Sequence, residues 1–135
     1  MTPVPGTLRK QFINEEDIAR TLEREFQLPS IESRTYIRLV TSEAGFDQVA
    51  KELGVTDETG TTALGEDMVR KGLLIRASTG EKNEFIPLHP RMVLSNVFKM
   101  FEKNLVQSLR DRRATVDRVV NLLTPFYEEK TNSTN

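Results

Sequence analysis

The sequence predicts a mainly α-helical fold with one small β-hairpin and a long C-terminal helix. Three observations predict it. Apolar residues recur at spacings of three and four along most of the chain. Glycines stand where the successive short stripes end, at Gly45, Gly54 and Gly72. The period changes to strand-like runs at 73–77 and 84–88 alone.

Residues 1–13 carry Pro3, Pro5 and Gly6 and read as a flexible arm, with Arg9 and Lys10 as its bases. A first helix is expected over 14–28. Asn14 can cap it, and Glu15, Glu16 and Asp17 suit the positive end of the helix dipole. Ile18, Leu22 and Phe26 form its apolar stripe, and Leu28-Pro29 ends it, because the residue before proline avoids the helical region. Ser30 is expected to cap the next helix, which carries Ile31, Tyr36, Ile37, Leu39 and Val40 and stops near Gly45. Phe46, Val49, Ala50 and Leu53 define a short amphipathic helix closed by Gly54, with Val55 turned inward after it. A further helix is expected from about residue 61 to 71, with Leu64, Met68 and Val69 inward and Gly72 as its stop. Two strands then flank 78–83, where Gly80 offers the permissive backbone of a hairpin.

Helix, helix, turn, helix, hairpin is the order of a winged helix-turn-helix domain. It would occupy 14–89, with an extra N-terminal helix. The helix after Gly45 and the one after Val55 form the two-helix reader, and the hairpin is the wing. Phe46, Val49, Leu53, Val55, Leu64, Met68, Leu73 and Ile75 are expected to share one small core, with Ala50 at the helix crossing.

The remainder reads as one long coiled-coil-like helix over 90–128, opened by His89-Pro90. Leu94, Phe98, Phe101, Leu105 and Leu109 recur at steps of three and four, and Val116, Val119, Val120, Leu123 and Phe126 resume the stripe after the polar stretch 110–113. Even its first 35 residues span roughly 50 Å, too long to bury a stripe against a small domain. A second copy of the chain is the simplest cover. Leu94, Phe98, Phe101, Leu105, Leu109, Val116, Val119 and Leu123 are therefore the expected dimerisation residues, and 129–135 a disordered tail.

Several chemistries are excluded by what the chain lacks. Without cysteine there is no disulfide, thiolate metal site or cysteine nucleophile. His89 is the one histidine, and it reads as a residue at a helix start, which leaves serine or threonine without a catalytic partner set. The stretch Thr59-Gly60-Thr61-Thr62 lacks the lysine and spacing of a phosphate-cradling loop. No enzymatic activity, cofactor or metal is expected. The N-terminus has no apolar signal region and no apolar run is long enough to span a membrane, so a cytoplasmic protein with no membrane partner is expected. With 19 basic and 20 acidic side chains, a strongly basic nucleic-acid coat protein is excluded, though a local basic patch is not.

Three stretches carry a family resemblance: Tyr36-Ile37-Arg38-Leu39, the run from Phe46-Asp47-Gln48-Val49-Ala50 to Gly54-Val55, and Met68-Val69-Arg70-Lys71-Gly72-Leu73-Leu74. They resemble the TrmB-like winged helix-turn-helix transcriptional regulators of archaea. Glu84-Phe85-Ile86-Pro87-Leu88-His89-Pro90 and the helix after it are similar to that family's strand-to-coiled-coil junction. The likeness covers about residues 30–127 and reads as a short form lacking the effector domain. It implies a DNA-binding regulator that acts as a homodimer through its C-terminal helix.

Charge departs from that pattern. Between Glu43 and Asp67 the acids Glu43, Asp47, Glu52, Asp57, Glu58, Glu66 and Asp67 face one base, Lys51, a net of −6 that would repel phosphate. Thr59, Thr61 and Thr62 are the uncharged candidates for base contact. Phosphate contacts would fall to Arg34, Arg70, Lys71, Arg76 and Lys82, on the helix flanks and the wing. The long helix from 91 to 118 is basic, with a net of +4. Double-stranded DNA is the expected partner; the alternative is an interaction module whose acidic face binds a basic protein.

Overall fold

In the computed structural model, described for residues 14–79 and 82–133, five helices and one hairpin follow in the expected order. The N-terminal arm, with Arg9 and Lys10, and the hairpin residue Gly80 lie outside the described residues. The chain forms two compact units, dividing between residues 100 and 101.

Helix α1 (Glu15–Phe26) starts where expected: the Asn14 side chain accepts a hydrogen bond from the Asp17 N–H at 3.3 Å. It ends at Gln27, in the left-handed region at φ 58°. Its buried face is Ala19 and Leu22, with Phe26 half-buried, whereas Ile18 is exposed. Ala19 thus takes the place of Ile18 on the packed face, while Leu22 and Phe26 keep the positions the spacing predicts.

Helix α2 (Ser30–Thr41) is the central helix, burying Tyr36, Ile37 and Leu39. Ser30 is its first residue, and the cap position belongs to Pro29; Ser30 instead accepts a hydrogen bond from Arg34 Nε at 3.0 Å. Ser33 and Thr35 are fully buried and donate to the backbone carbonyls of Pro29 and Ile31, so their burial strands no hydroxyl. Tyr36 donates its hydroxyl to the Leu88 carbonyl at 2.7 Å, and burial pushes its pKa up to about 12. Val40 is exposed.

Helices α3 (Phe46–Glu52) and α4 (Glu58–Arg70) are the helix-turn-helix pair. Phe46, Val49 and Ala50 are buried, and Gly54 turns the chain at φ +94°, a conformation that strains any residue with a Cβ. Helix α4 begins three residues earlier than the sequence reading because Asp57 caps it, accepting from the Gly60 N–H at 3.1 Å. Met68 is fully buried; Leu64 and Val69 pack on the core from its edge.

Strands β1 (Leu74–Thr79) and β2 (Lys82–Pro87) pair antiparallel, with Leu74 opposite Pro87, Ile75 opposite Ile86 and Arg76 opposite Phe85. Leu73 and Leu74 are buried, while Ile75 is 46% exposed, so it is not a core residue. Strand alternation decides this: Leu74, Arg76 and Phe85 share one face, and Ile75 must share the other with Ile86.

Helix α5 (Pro90–Ser133) begins inside the first unit. His89 Nδ1 accepts from the Arg91 N–H at 3.0 Å, so the single histidine caps this helix. Val93 and Val97 are buried in the winged domain and Leu94 packs half-buried against its core. Leu94 is therefore a domain residue, not part of an exposed seam. Asn96 donates to the Gly72 carbonyl at 2.9 Å, and a Cβ on Gly72 would come within 2.3 Å of that amide.

Taken by itself, the segment 101–133 is a single helix. It runs past residue 128 to Ser133 and so includes most of the segment expected as a tail. Pro125 lies inside it without ending it; Thr124 and Thr131 each return a hydroxyl hydrogen bond to the carbonyl one turn back. No helix among the described residues is long and apolar enough to cross a membrane.

Candidate nucleic-acid interface

The face where a winged helix-turn-helix would meet a duplex is a cleft of about 540 Å³ between α3, α4 and the wing. Its lining includes Thr61, Thr62 and Glu66 of α4, Asp47 and Lys51 of α3, and Arg76 and Phe85 of the wing.

Phe85 holds this face together. Its ring meets Phe46 edge-on, with centroids 4.9 Å apart. It also lies so close to α4 that a Cβ at Gly65 would come within 2.4 Å of Phe85 Cε2. Glycine costs a helix about 1 kcal/mol relative to alanine; here that cost admits the wing's aromatic ring. The guanidinium of Arg76 lies over the Phe85 ring, 5.5 Å from its centroid. Phe85 was not singled out from sequence. The signal was present, in an apolar residue at alternate positions of β2 and an unexplained glycine inside α4, but only the packing joins them.

The cationic candidates share one property. Arg76 Nη2 bonds Glu66 Oε1 at 2.8 Å. Arg70 Nη2 bonds Asp67 Oδ1 at 2.6 Å. Arg34 forms a two-pronged pair with Glu16 of α1, one prong at 2.9 Å. That hydrogen bond holds the Glu16 carboxyl below its ordinary pKa and raises that of Arg34. Lys71 Nζ reaches Glu32 Oε2 at 2.6 Å. Glu32 is buried, and its Oε1 finds no hydrogen-bond partner. Lys71 thus neutralises a buried carboxylate and ties the end of α4 to α2. The side chain of Lys82 lies outside the described residues.

The threonines divide similarly. Thr61 and Thr62 line the cleft, although the Thr61 hydroxyl donates to the Asp57 carbonyl at 2.8 Å. Thr59 is exposed on α4 next to Glu58 and Glu66. The fold therefore gathers Thr61, Thr62 and Arg76 into one cleft. It leaves Arg34 and Lys71 to interhelix pairs.

The second unit contrasts in character. Leu105, Leu109, Val116, Val119 and Leu123 are 42–60% exposed on its single helix. Phe98 in the first unit is also exposed, and Phe101 is half-buried. Lys103, Arg110, Arg112 and Arg118 form no ion pair among the described residues, whereas Arg113 lies 3.8 Å from Asp117.

No protein-family description matches the chain, and no curated protein sequence matches it. Among solved structures the chain is similar to that of TrmBL2, described as an archaeal chromatin protein that shows a novel mode of DNA binding. The two are 19% identical, with a TM-score of 0.64 over 84% of this chain. This chain spans 43% of the TrmBL2 chain. The mainly helical fold with a hairpin wing and a long following helix, read first from spacing and then from hydrogen bonds, is shared with TrmBL2.

Proposed function

We propose that the chain is a DNA-binding regulator that acts as a homodimer, its two winged domains joined through α5. The observation that carries this reading is the fold shared with TrmBL2, a protein described as binding DNA. The TrmB-like resemblance of the sequence over residues 30–127 also supports it. The exposed apolar stripe from Leu105 to Leu123 supports the second copy, since such a face on a helix gains by burial against another. Arg70 would contact phosphate, as would Arg76 once released from Glu66, Thr61 and Thr62 would approach bases, and the bases of α5 would add sequence-independent attraction. A gel shift with a duplex at about 50 mM and about 200 mM salt tests the reading, and a salt-weakened shift is expected. Sedimentation of the parent chain as a monomer would remove the homodimer.

One observation favours a second reading. Asp47, Glu58 and Glu66 line the cleft, and the described wing and flank cations are all occupied by carboxylates. An acidic face of this kind suits a basic protein segment. Replacing Asp57 and Glu58 with serine separates the readings: it strengthens DNA binding if DNA is the partner and weakens capture of a lysine-rich peptide if a basic protein is.

A further inference from the structure

The acids of α4 are placed to do more than repel. Glu66 and Asp67 are consecutive, and each holds one exposed arginine, Arg76 across the cleft and Arg70 one turn along the helix. The Arg76 arrangement is the more specific of the two. Its guanidinium bonds Glu66 and stacks on Phe85, and Phe85 is itself fixed between Phe46 and the gap left by Gly65. The wing cation is thus aimed at the helix that would enter the groove, with its charge already cancelled.

We infer that Glu66 acts as an internal stand-in for phosphate, withholding Arg76 from DNA and so lowering the affinity of the winged domain. The inference rests on the DNA-binding reading above. Both partners are about half exposed, 45% for Arg76 and 56% for Glu66, so the pair is screened by solvent and opens easily. It is a restraint that removal of one carboxylate lifts. A phosphate approaching Arg76 must displace Glu66 and then sit beside the released carboxylate, so the two anions compete for one guanidinium.

A double-mutant cycle on the full chain tests this, with a short fluorescent duplex of mixed sequence titrated by anisotropy between about 50 and 200 mM salt. Glu66→Gln should tighten binding about fivefold at the lower salt, in keeping with the modest worth of an exposed pair. It should also steepen the dependence of log affinity on log salt by about 0.9, the signature of one added phosphate contact. Arg76→Gln in the parent should change affinity less than about twofold, whereas in the Glu66→Gln background it should erase both gains. A gain that survives Arg76→Gln would show that Glu66 acts by simple repulsion and would overturn the inference. So would an Arg76→Gln loss as large in the parent as in the variant. If neither the parent nor Glu66→Gln binds the duplex at about 50 mM salt, the DNA-binding reading itself falls. Failure with a parent that does bind belongs to the inference alone.

Discussion

Helix α2 and the 101–133 segment of α5 draw on the same residue types and end in opposite conditions. Helix α2 buries Tyr36, Ile37 and Leu39, and its buried hydroxyls at Ser33 and Thr35 donate to the carbonyls one turn back, at Pro29 and Ile31. The α5 segment leaves Leu105, Leu109, Val116, Val119 and Leu123 largely in water. Hydrophobic periodicity specifies a face, but burial depends on what the rest of the chain can lay against it. A domain of this size supplies cover for short helices, and the outer stripe needs a surface from elsewhere.

The contrast can be broken most severely at the open end. If the proposed dimer forms along this stripe, Leu123→Asp should drive it to monomers, because each copy would lose a leucine whose burial in the pair is worth about 1.5–3 kcal/mol. Counted over two copies, the dissociation constant should rise by about a hundredfold or more. Sedimentation velocity across a dilution series measures it. An unchanged association state would take this stripe out of the interface.

The closed end should break nearly as hard at one polar point. Lys71→Met leaves the Glu32 carboxylate buried without its cation, which should cost roughly 3 kcal/mol. The double variant Glu32→Leu/Lys71→Met should recover most of that loss, because a well-packed apolar pair replaces a buried ion pair at little cost. Urea unfolding of the three proteins distinguishes these outcomes. Equal stability for Lys71→Met would mean that Lys71 is free for other work.

Gly65→Ala sharpens the comparison inside the cleft. Helix propensity favours alanine by about 1 kcal/mol, yet the new Cβ would press on the Phe85 ring. Overpacking of this kind costs roughly 1–3 kcal/mol, so the net effect should be destabilising. A raised melting temperature would show that the wing can move away from α4.

The smallest effect is a pH dependence. Glu16 has a lowered pKa in the fold, mainly through its hydrogen bond from Arg34. Its contribution is therefore complete above the ordinary glutamate pKa and is lost as the pH falls through the lower folded value. Glu16→Gln should lower stability slightly near neutral pH and leave it unchanged at the acid end, flattening the acid limb by the same small amount, since the pair is screened by solvent. Thermal melts from neutral to acidic pH provide the check, and an identical acid limb would assign the loss to other carboxylates.

Much of the architecture was legible from residue order alone. Asn14 announced the start of α1, Gly54 and Gly72 marked turns that need positive φ, and the change of period at Leu73 marked the wing. These are local effects, governed by backbone conformation and by which groups a helix end leaves unpaired. Spacing was less able to choose among adjacent faces: Ala19 in place of Ile18, Val93 and Val97 beside Leu94, and Leu74 in place of Ile75. A shift of one residue changes a short stripe very little, and it is the strand register, which sets Ile75 opposite Ile86 and away from Leu74, that sends Ile75 outward.

What the sequence by itself determined is the succession of elements, the acidic character of α4 and the apolar stripe of α5. Tertiary structure alone decided which charges are available. Glu16 and Arg34 lie 18 positions apart, Glu32 and Lys71 39 apart, and Tyr36 and Leu88 52 apart. No periodic pattern links such residues. A cation counted along the chain keeps its whole charge in the sum, but in the fold a carboxylate within hydrogen-bond reach cancels its field, and that distance is set by how the helices and the wing pack.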